Sequence, residues 1–138
     1  MQQTTSLEDD GPSQVRRYAG YLGIALLATG LLGVVLGERS LFGLLNIDLT
    51  EDIVHLVTGA LLAYVGFGQR DEGLARTVVG GLGVVYVLVG VLGFAVPDLL
   101  GLLPHEYSTF DNLFHIALGL ANIAVAWWLG RERGEVGQ

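Results

Sequence analysis

TFDNLFHIALGLAN, residues 109–122, places an acid, a histidine, a glycine and an amide on one face of an apolar segment. An earlier segment, TEDIVHLVTGALLA, residues 50–63, has a similar arrangement. A single offset of 60 residues aligns three pairs in the two segments: His55 with His115, Glu51 with Asp111, and Gly59 with Gly119. Because side chains three or four positions apart share a helical face, both segments are predicted to be helices with a polar stripe.

The same offset relates the two halves of the chain. Laying residues 11–70 over residues 71–130 without a gap aligns five pairs of glycines, together with a pair of arginines and the two histidines. Two unrelated apolar segments are not expected to share so many identities in one register. The sequence therefore predicts tandem duplication of a two-helix hairpin, with repeat one at residues 11–70 and repeat two at residues 71–130.

Uncharged runs predict the fold class. Runs of 20, 17, 21 and 19 residues without Asp, Glu, Lys or Arg follow Arg17, Asp52, Arg76 and Asp111. A helix that crosses the hydrocarbon core of a bilayer needs about 17–25 predominantly apolar residues. We predict an all-α fold, a four-helix transmembrane bundle built from two tandem helical hairpins over residues 16–130.

Charged residues outside the runs predict the topology. Residues 1–15 are polar and acidic and are predicted to form a disordered cytoplasmic tail, with a second tail at residues 131–138. Six of the seven arginines fall on one side of the predicted spans, and positive residues favour the cytoplasmic side. We expect a multi-pass protein of the cell membrane, surrounded by the lipid bilayer, with both termini cytoplasmic.

Composition argues against several functions. A net charge of -7 without clustered Lys or Arg argues against nucleic-acid binding. The chain has no cysteine, which excludes disulfides, thiolate metal ligands and a cysteine nucleophile. No nucleophile motif or phosphate-binding glycine loop is present, so enzymatic catalysis is not expected. An acidic chain without lysine would suit a halophilic prokaryote.

Glycines form narrow faces on the predicted spans. Small residues let membrane helices approach closely, so that van der Waals contact holds them together. Gly37 is assigned to the glycine face of the first span. Eight glycines are predicted to pack helices: Gly23, Gly30, Gly33, Gly59, Gly83, Gly90, Gly93 and Gly119. Such faces also suit packing between subunits, so a homo-oligomer is a further expectation, while protein partners are left open.

Polar residues in the second and fourth spans are the candidate site: Glu51, Asp52, His55, Asp111, His115 and Asn122. Ionisable groups within a membrane usually face the bundle interior and mark functional sites. The first interpretation is a structural or interaction role without a cofactor, in which each acid orients its histidine and Asn122 bonds across helices. Thr50 and Thr109 are predicted to cap these two helices.

A metal- or haem-binding membrane protein is the alternative. Two acid–histidine pairs have the spacing of ligands on one helical face, and one outer-loop pair could complete a metal site. These pairs are Asp52 with His55, Asp111 with His115, and His105 with Glu106. A b-type haem between His55 and His115 is a further alternative. A proton or ion path ranks third, since no ionisable residue lies in the spans on the inner side of Asn122.

Two motifs carry a resemblance to a known family. At NIDLTEDIVHLVTG, residues 46–59, and DNLFHIALG, residues 111–119, the chain resembles an uncharacterised family of small four-helix prokaryotic membrane proteins, known only as a domain of unknown function. The likeness covers most of residues 16–130. The family's pattern has a histidine and a glycine four residues apart on helix two, and D-N-x-x-H-x-x-x-G on helix four. The chain departs from it at Asp52, where the family often has asparagine. The resemblance implies the fold and the membrane location, and no known activity.

Overall fold

The computed structural model describes residues 11–37, 39–42, 45–96, 98, 100–101 and 107–129. This part of the chain contains four long helices, and a π-helical turn, Tyr64–Gly68, continues the second. The helices are α1 (Gln14–Leu36), α2 (Leu49–Ala63), α3 (Glu72–Ala95) and α4 (Thr109–Trp128). All four are long and apolar enough to cross a membrane, with α2 counted through Gly68. The predicted four-helix transmembrane fold is confirmed.

The helices pair as two hairpins. α1 packs along the length of α2, and α3 packs along the length of α4, whereas contact between the two pairs is sparser. Glycines make the close approach possible, because a Cβ on Gly119 would lie 2.6 Å from the Gly83 carbonyl oxygen and a Cβ on Gly59 would lie 2.9 Å from the Gly23 carbonyl oxygen. All eight glycines that the sequence assigned to packing contact the partner helix of their own hairpin.

Gly37 has a different function from the one predicted. It is the C-cap of α1, with φ of +72°, and a Cβ there would meet nothing within 4 Å. Glycine is favoured at this position because its backbone enters the left-handed region without a steric penalty. Gly37 therefore ends the helix and does not pack it.

The predicted helix caps are wrong for both α2 and α4. Asp48 caps α2 by accepting a hydrogen bond from the backbone N–H of Glu51, at 2.9 Å. Ser108 caps α4 in a capping box with Asp111, whose Oδ2 accepts from the Ser108 backbone N–H at 3.1 Å. Thr50 and Thr109 lie inside their helices, because a stronger capping side chain precedes each of them.

Two element boundaries also differ from the prediction. α1 begins at Gln14, capped by Ser13, so two residues assigned to the N-terminal tail are helical. The α1–α2 connection contains an antiparallel pair, β1 (Arg39–Leu41) with β2 (Leu45–Ile47). Pairing these strands satisfies backbone groups close to the apolar part of the bundle, where unpaired groups are costly. Within the α3–α4 connection, Pro97, Leu99 and residues 102–106 lie outside the described residues.

Apolar and polar side chains are segregated within the bundle. The buried apolar core lies between the first half of α1 and α3 and the second half of α2, with Val15, Ala19, Val65, Ala75 and Val79 all almost fully buried. The opposite end, where α2 and α4 begin, buries polar and charged residues. Many large apolar side chains on all four helices face outwards, as expected for a surface covered by lipid.

Candidate metal centre

Three potential metal ligands converge where α2 and α4 begin. Glu51 and His55 come from neighbouring turns of α2, and His115 comes from the second turn of α4. One donor atom from each residue lies within 4.8 Å of the other two. The His115 Nε2 atom is 3.7 Å from the Glu51 Oε1 atom, which is too long for a hydrogen bond. The Glu51 carboxyl group and the His115 imidazole are therefore neighbours at ion-pair distance without a hydrogen bond between them.

This group is buried and incompletely satisfied. Glu51 is 8% exposed and His115 is 5% exposed. The Glu51 Oε2, His55 Nδ1 and His115 Nδ1 atoms have no hydrogen-bond partner among the residues that the structure describes. Buried polar atoms are normally paired, and an unmatched group points to strain, catalysis or a missing ion. Three such atoms in one group indicate a place for a cation.

Carboxyl groups surround the three residues. Asp48, Asp52 and Asp111 all lie within electrostatic range of the Glu51 carboxyl group. Asp48 is 1% exposed, and its Oδ2 atom also has no hydrogen-bond partner in the described part of the chain. Several buried carboxyl groups at one end of a membrane bundle are costly unless a positive charge is close to them.

Two tyrosines hold the His115 imidazole in place. The Tyr86 ring stacks on it with a centroid distance of 5.7 Å, and the Tyr107 ring meets it edge-on at 5.2 Å. Burial, reinforced by the negative charge of Glu51, raises the pKa of the Tyr107 phenol. Tyr107 therefore remains a neutral hydrogen-bond donor beside the site at physiological pH.

The other predicted site residues lie elsewhere. The Asp52 carboxyl group packs against Gly33 of α1, where any side chain on Gly33 would collide with it. The Asp111 carboxyl group accepts from both the backbone N–H and the hydroxyl of Ser108 in the capping box. His105 and Glu106 fall outside the described residues. Glu51, rather than Asp52 or Asp111, is thus the acid that joins the two histidines.

Asn122 occupies a separate position deeper in the bundle. It is fully buried, and its Oδ1 atom accepts a hydrogen bond of 2.5 Å from the Tyr18 hydroxyl of α1. Seven residues of helix separate it from His115, about 10 Å at 1.5 Å per residue. Asn122 therefore links α4 to α1 and is not part of the group around His115.

A cavity of about 170 Å³ adjoins the three residues. Glu51, His55 and His115 line it together with apolar side chains of α2 and α3. Thr58 and Tyr86, whose hydroxyl oxygen atoms lie 3.1 Å apart, are also among the lining residues. The lining also includes Val54, Leu82, Val85, Val89 and Tyr107.

Sequence reasoning missed the tyrosines and Thr58. They could have been found as positions where the two aligned halves of the chain have residues of different polarity. At an offset of 60 residues, Tyr86 aligns with Leu26, and Thr58 aligns with Leu118. A polar residue that replaces an apolar one in an otherwise equivalent helix needs a partner, and such positions are where the two hairpins differ chemically.

The geometry can hold a divalent transition metal ion. Two imidazoles and one carboxylate are ligands used for zinc in hydrolytic sites and for non-haem iron. Metal–ligand bonds of about 2.0–2.2 Å place tetrahedral donor atoms about 3.4 Å apart. The donor atoms lie within 4.8 Å of one another, so binding would draw those that are at this limit together by about 1 Å. The His115 ring and the Glu51 carboxyl group occupy different hairpins, so a bound ion would connect them.

The four apolar helices and the buried ionisable group define a multi-pass membrane protein. Residues 8–68 match the family model described as Domain of unknown function (DUF4383). This match confirms the resemblance to an uncharacterised family, and it covers the first hairpin. The chain matches no curated protein and no solved structure.

Proposed function

We propose that this membrane protein binds a divalent transition metal ion through Glu51, His55 and His115. The observation that carries the proposal is the convergence within 4.8 Å of three donor groups from two hairpins, with Glu51 and His115 buried and His55 half-buried. A carboxylate and two neutral imidazoles prefer zinc or ferrous iron to magnesium or calcium, which favour sites made only of oxygen ligands. The neighbouring carboxyl groups of Asp48 and Asp111 favour a cation at the same place.

A metal ion fits this site better than haem does. The cavity of about 170 Å³ is smaller than the roughly 300 Å³ at which pockets for drug-sized ligands begin, and a porphyrin is larger than most such ligands. Haem would therefore require the two hairpins to separate. An ion requires only small movements of three side chains.

The first test is elemental analysis of the detergent-purified protein with Glu51→Gln, His115→Gln and Asp52→Asn variants. We expect stoichiometric metal in the parent protein and a loss of metal affinity of more than about 100-fold in Glu51→Gln and His115→Gln, because each removes a ligand. Asp52→Asn is a matched control, since it makes the same chemical change one residue away and Asn112 already occupies the equivalent place against Gly93.

The result that would contradict the proposal is equal metal content in all four proteins, or no metal in any of them after incubation with zinc or ferrous iron. Loss of metal in Asp52→Asn alone would instead support Asp52 with His55 as the metal ligands, as the spacing in the sequence predicted.

A structural role is the second candidate, supported by the hydrogen bond from Tyr18 to Asn122. In that case the buried polar groups fix the arrangement of the helices, and His115→Gln lowers stability without changing any bound component. Measuring bound metal and unfolding of the same variant distinguishes the two functions.

We further infer that the protein lies in the cell membrane with both termini in the cytoplasm. Arg16, Arg17, Arg70 and Arg76 all lie at the end of the bundle where α1 and α3 begin, and positive residues favour the cytoplasmic side. The candidate site then lies in the outer half of the membrane. We expect a reporter enzyme that works only in the cytoplasm to be active when it is fused after Gln138. Activity of a reporter that works only outside the cytoplasm would show that the topology is the opposite one.

A further inference from the structure

A metal ion held by Glu51, His55 and His115 would have protein on one side and the cavity on the other. All three residues line the cavity as well as forming the ligand group. Three protein ligands leave at least one coordination position unfilled, and sites that bind a further ligand are built in this way. The unfilled position would therefore face a space large enough for more than one water molecule.

The cavity reaches the outer surface of the bundle between α2 and α3. Val54 of α2 and Val85 of α3 line it, and these residues are 46% and 50% exposed. The two hairpins pack more sparsely against each other than the helices within each hairpin do. Because apolar residues on that outer surface are expected to face lipid, we take the boundary between α2 and α3 as the route from the membrane to the cavity.

The lining selects a small uncharged molecule. Leu82, Val85 and Val89 make one wall apolar, and burial of an isolated charge against such a wall is costly. The carboxyl groups of Asp48 and Asp111, close to Glu51, oppose an anion. A cavity of about 150 Å³ holds a benzene-sized molecule, so the present cavity admits roughly six non-hydrogen atoms.

Two of the cavity-lining residues carry hydroxyl groups, the Thr58 Oγ1 and the Tyr86 hydroxyl, which lie 3.1 Å apart. The Thr58 hydroxyl donates to the Val54 carbonyl oxygen at 2.7 Å, so the Tyr86 hydroxyl donates to Thr58. Their oxygen atoms can therefore only accept a hydrogen bond from a bound molecule. A ligand with a donor atom for the metal and a second polar atom would be oriented by both contacts.

We infer that the metal keeps an open coordination position facing this cavity, and binds there a small uncharged nitrogen or oxygen donor that enters from the lipid between α2 and α3. This inference rests on the proposed function, since it needs the metal. Under this inference, the metal binds and releases a small molecule at its open position. A closed site would only join the two hairpins.

The test uses the full-length protein loaded with Co²⁺ in detergent, because the visible d–d absorption of cobalt reports its coordination. Imidazole is the uncharged probe, used in mildly alkaline buffer, and azide is the anionic probe. We expect imidazole to shift the cobalt bands saturably, with the cobalt content unchanged after the titration. Azide should bind more weakly.

Two variants on α3 identify the position of the ligand. Val85→Phe places a larger side chain at the cavity and leaves the proposed metal ligands unsubstituted. It should weaken imidazole binding by at least about tenfold while Co²⁺ stays bound. Val84→Phe is the matched control, because Val84 is equally exposed, at 50%, and lies outside the cavity lining. It should bind imidazole as the parent protein does.

Four results would overturn the inference. Bound Co²⁺ whose spectrum does not respond to imidazole would mean a closed site and would leave the proposed function intact. An unchanged response in Val85→Phe would place the ligand outside the cavity, and tighter binding of azide would contradict the uncharged class. Failure of the parent protein to bind Co²⁺ would remove the proposed function and, with it, the open position.

Discussion

At the scale of single residues, the bundle interior contains polar side chains that occur in only one of the two hairpins. Tyr86 and Asn122 occupy positions that, at the 60-residue offset, correspond to the buried Leu26 and Leu62. A polar group in the interior of a membrane bundle is stabilised by a partner on another helix, and the Asn122 Oδ1 atom has one in the Tyr18 hydroxyl. These replacements give the second hairpin its different chemistry on a similar backbone.

A double-mutant cycle with Tyr18→Phe and Asn122→Leu tests this pairing. Tyr18→Phe should lower the free energy of unfolding by about 0.5–1.5 kcal/mol, because the Asn122 Oδ1 atom loses its donor while it stays buried. Asn122→Leu introduces the residue found at the aligned position 62. The double variant should lose less stability than the sum of the single losses, with a coupling of about 0.6–1.7 kcal/mol measured by unfolding in SDS. Additive losses would show that the hydrogen bond contributes nothing.

At the scale of the elements, the hairpins are held by helix-to-helix contact at glycines. In the first hairpin the Asp52 side chain lies over Gly33, and in the second the Asn112 side chain lies over Gly93. These equivalent contacts are what a duplicated hairpin would retain, and the duplication itself stays a prediction. Because all eight packing glycines contact helices of the same chain, a homo-oligomer, also still a prediction, would need a different surface.

Two glycines of α3 that are two positions apart distinguish the effect of helix packing from the effect of helix propensity. Gly83→Ala should destabilise the protein by about 1–3 kcal/mol, because the added Cβ would lie 2.8 Å from the Gly119 carbonyl oxygen. Gly81→Ala places a methyl group where nothing lies within 4 Å, and should be neutral or slightly stabilising because alanine favours a helix. Unfolding midpoints in SDS compare the two variants. Equal effects would mean that α3 and α4 do not need close contact.

At the scale of the whole molecule, the candidate metal would connect two hairpins whose helices approach each other less closely than the helices within each hairpin. α2 supplies Glu51 and His55, and α4 supplies His115. A ligand that binds only the folded state stabilises it by mass action. Metal binding and hairpin docking should therefore be linked.

Zinc should raise the free energy of unfolding by about 2.7 kcal/mol when its concentration is 100 times the dissociation constant. The measurement is SDS-induced unfolding of the intact protein with zinc, or with magnesium at the same concentration as a control for ionic strength. Zinc should have little effect on His115→Gln, which lacks the ligand from the second hairpin. An equal effect on the parent protein and on His115→Gln would show that zinc acts elsewhere.

The sequence alone determined the four spans, their pairing as hairpins and the candidate polar residues, because these depend on spacing along one dimension. An uncharged run of about 20 residues predicts a membrane helix whatever surrounds it. The 60-residue offset likewise places His55 and His115 at the same depth without any knowledge of packing.

Only the tertiary structure decided which acid accompanies the histidines. Glu51 and Asp52 are adjacent, so their side chains point about 100° apart around α2, and either one satisfies a spacing argument. The Asp52 carboxyl group packs against Gly33 of α1, and the Asp111 carboxyl group is bound in the capping box of α4. Glu51 is left facing His115 across the boundary between the hairpins. That choice depends on the rotation of each helix about its axis, which is set by contacts between residues far apart in the chain.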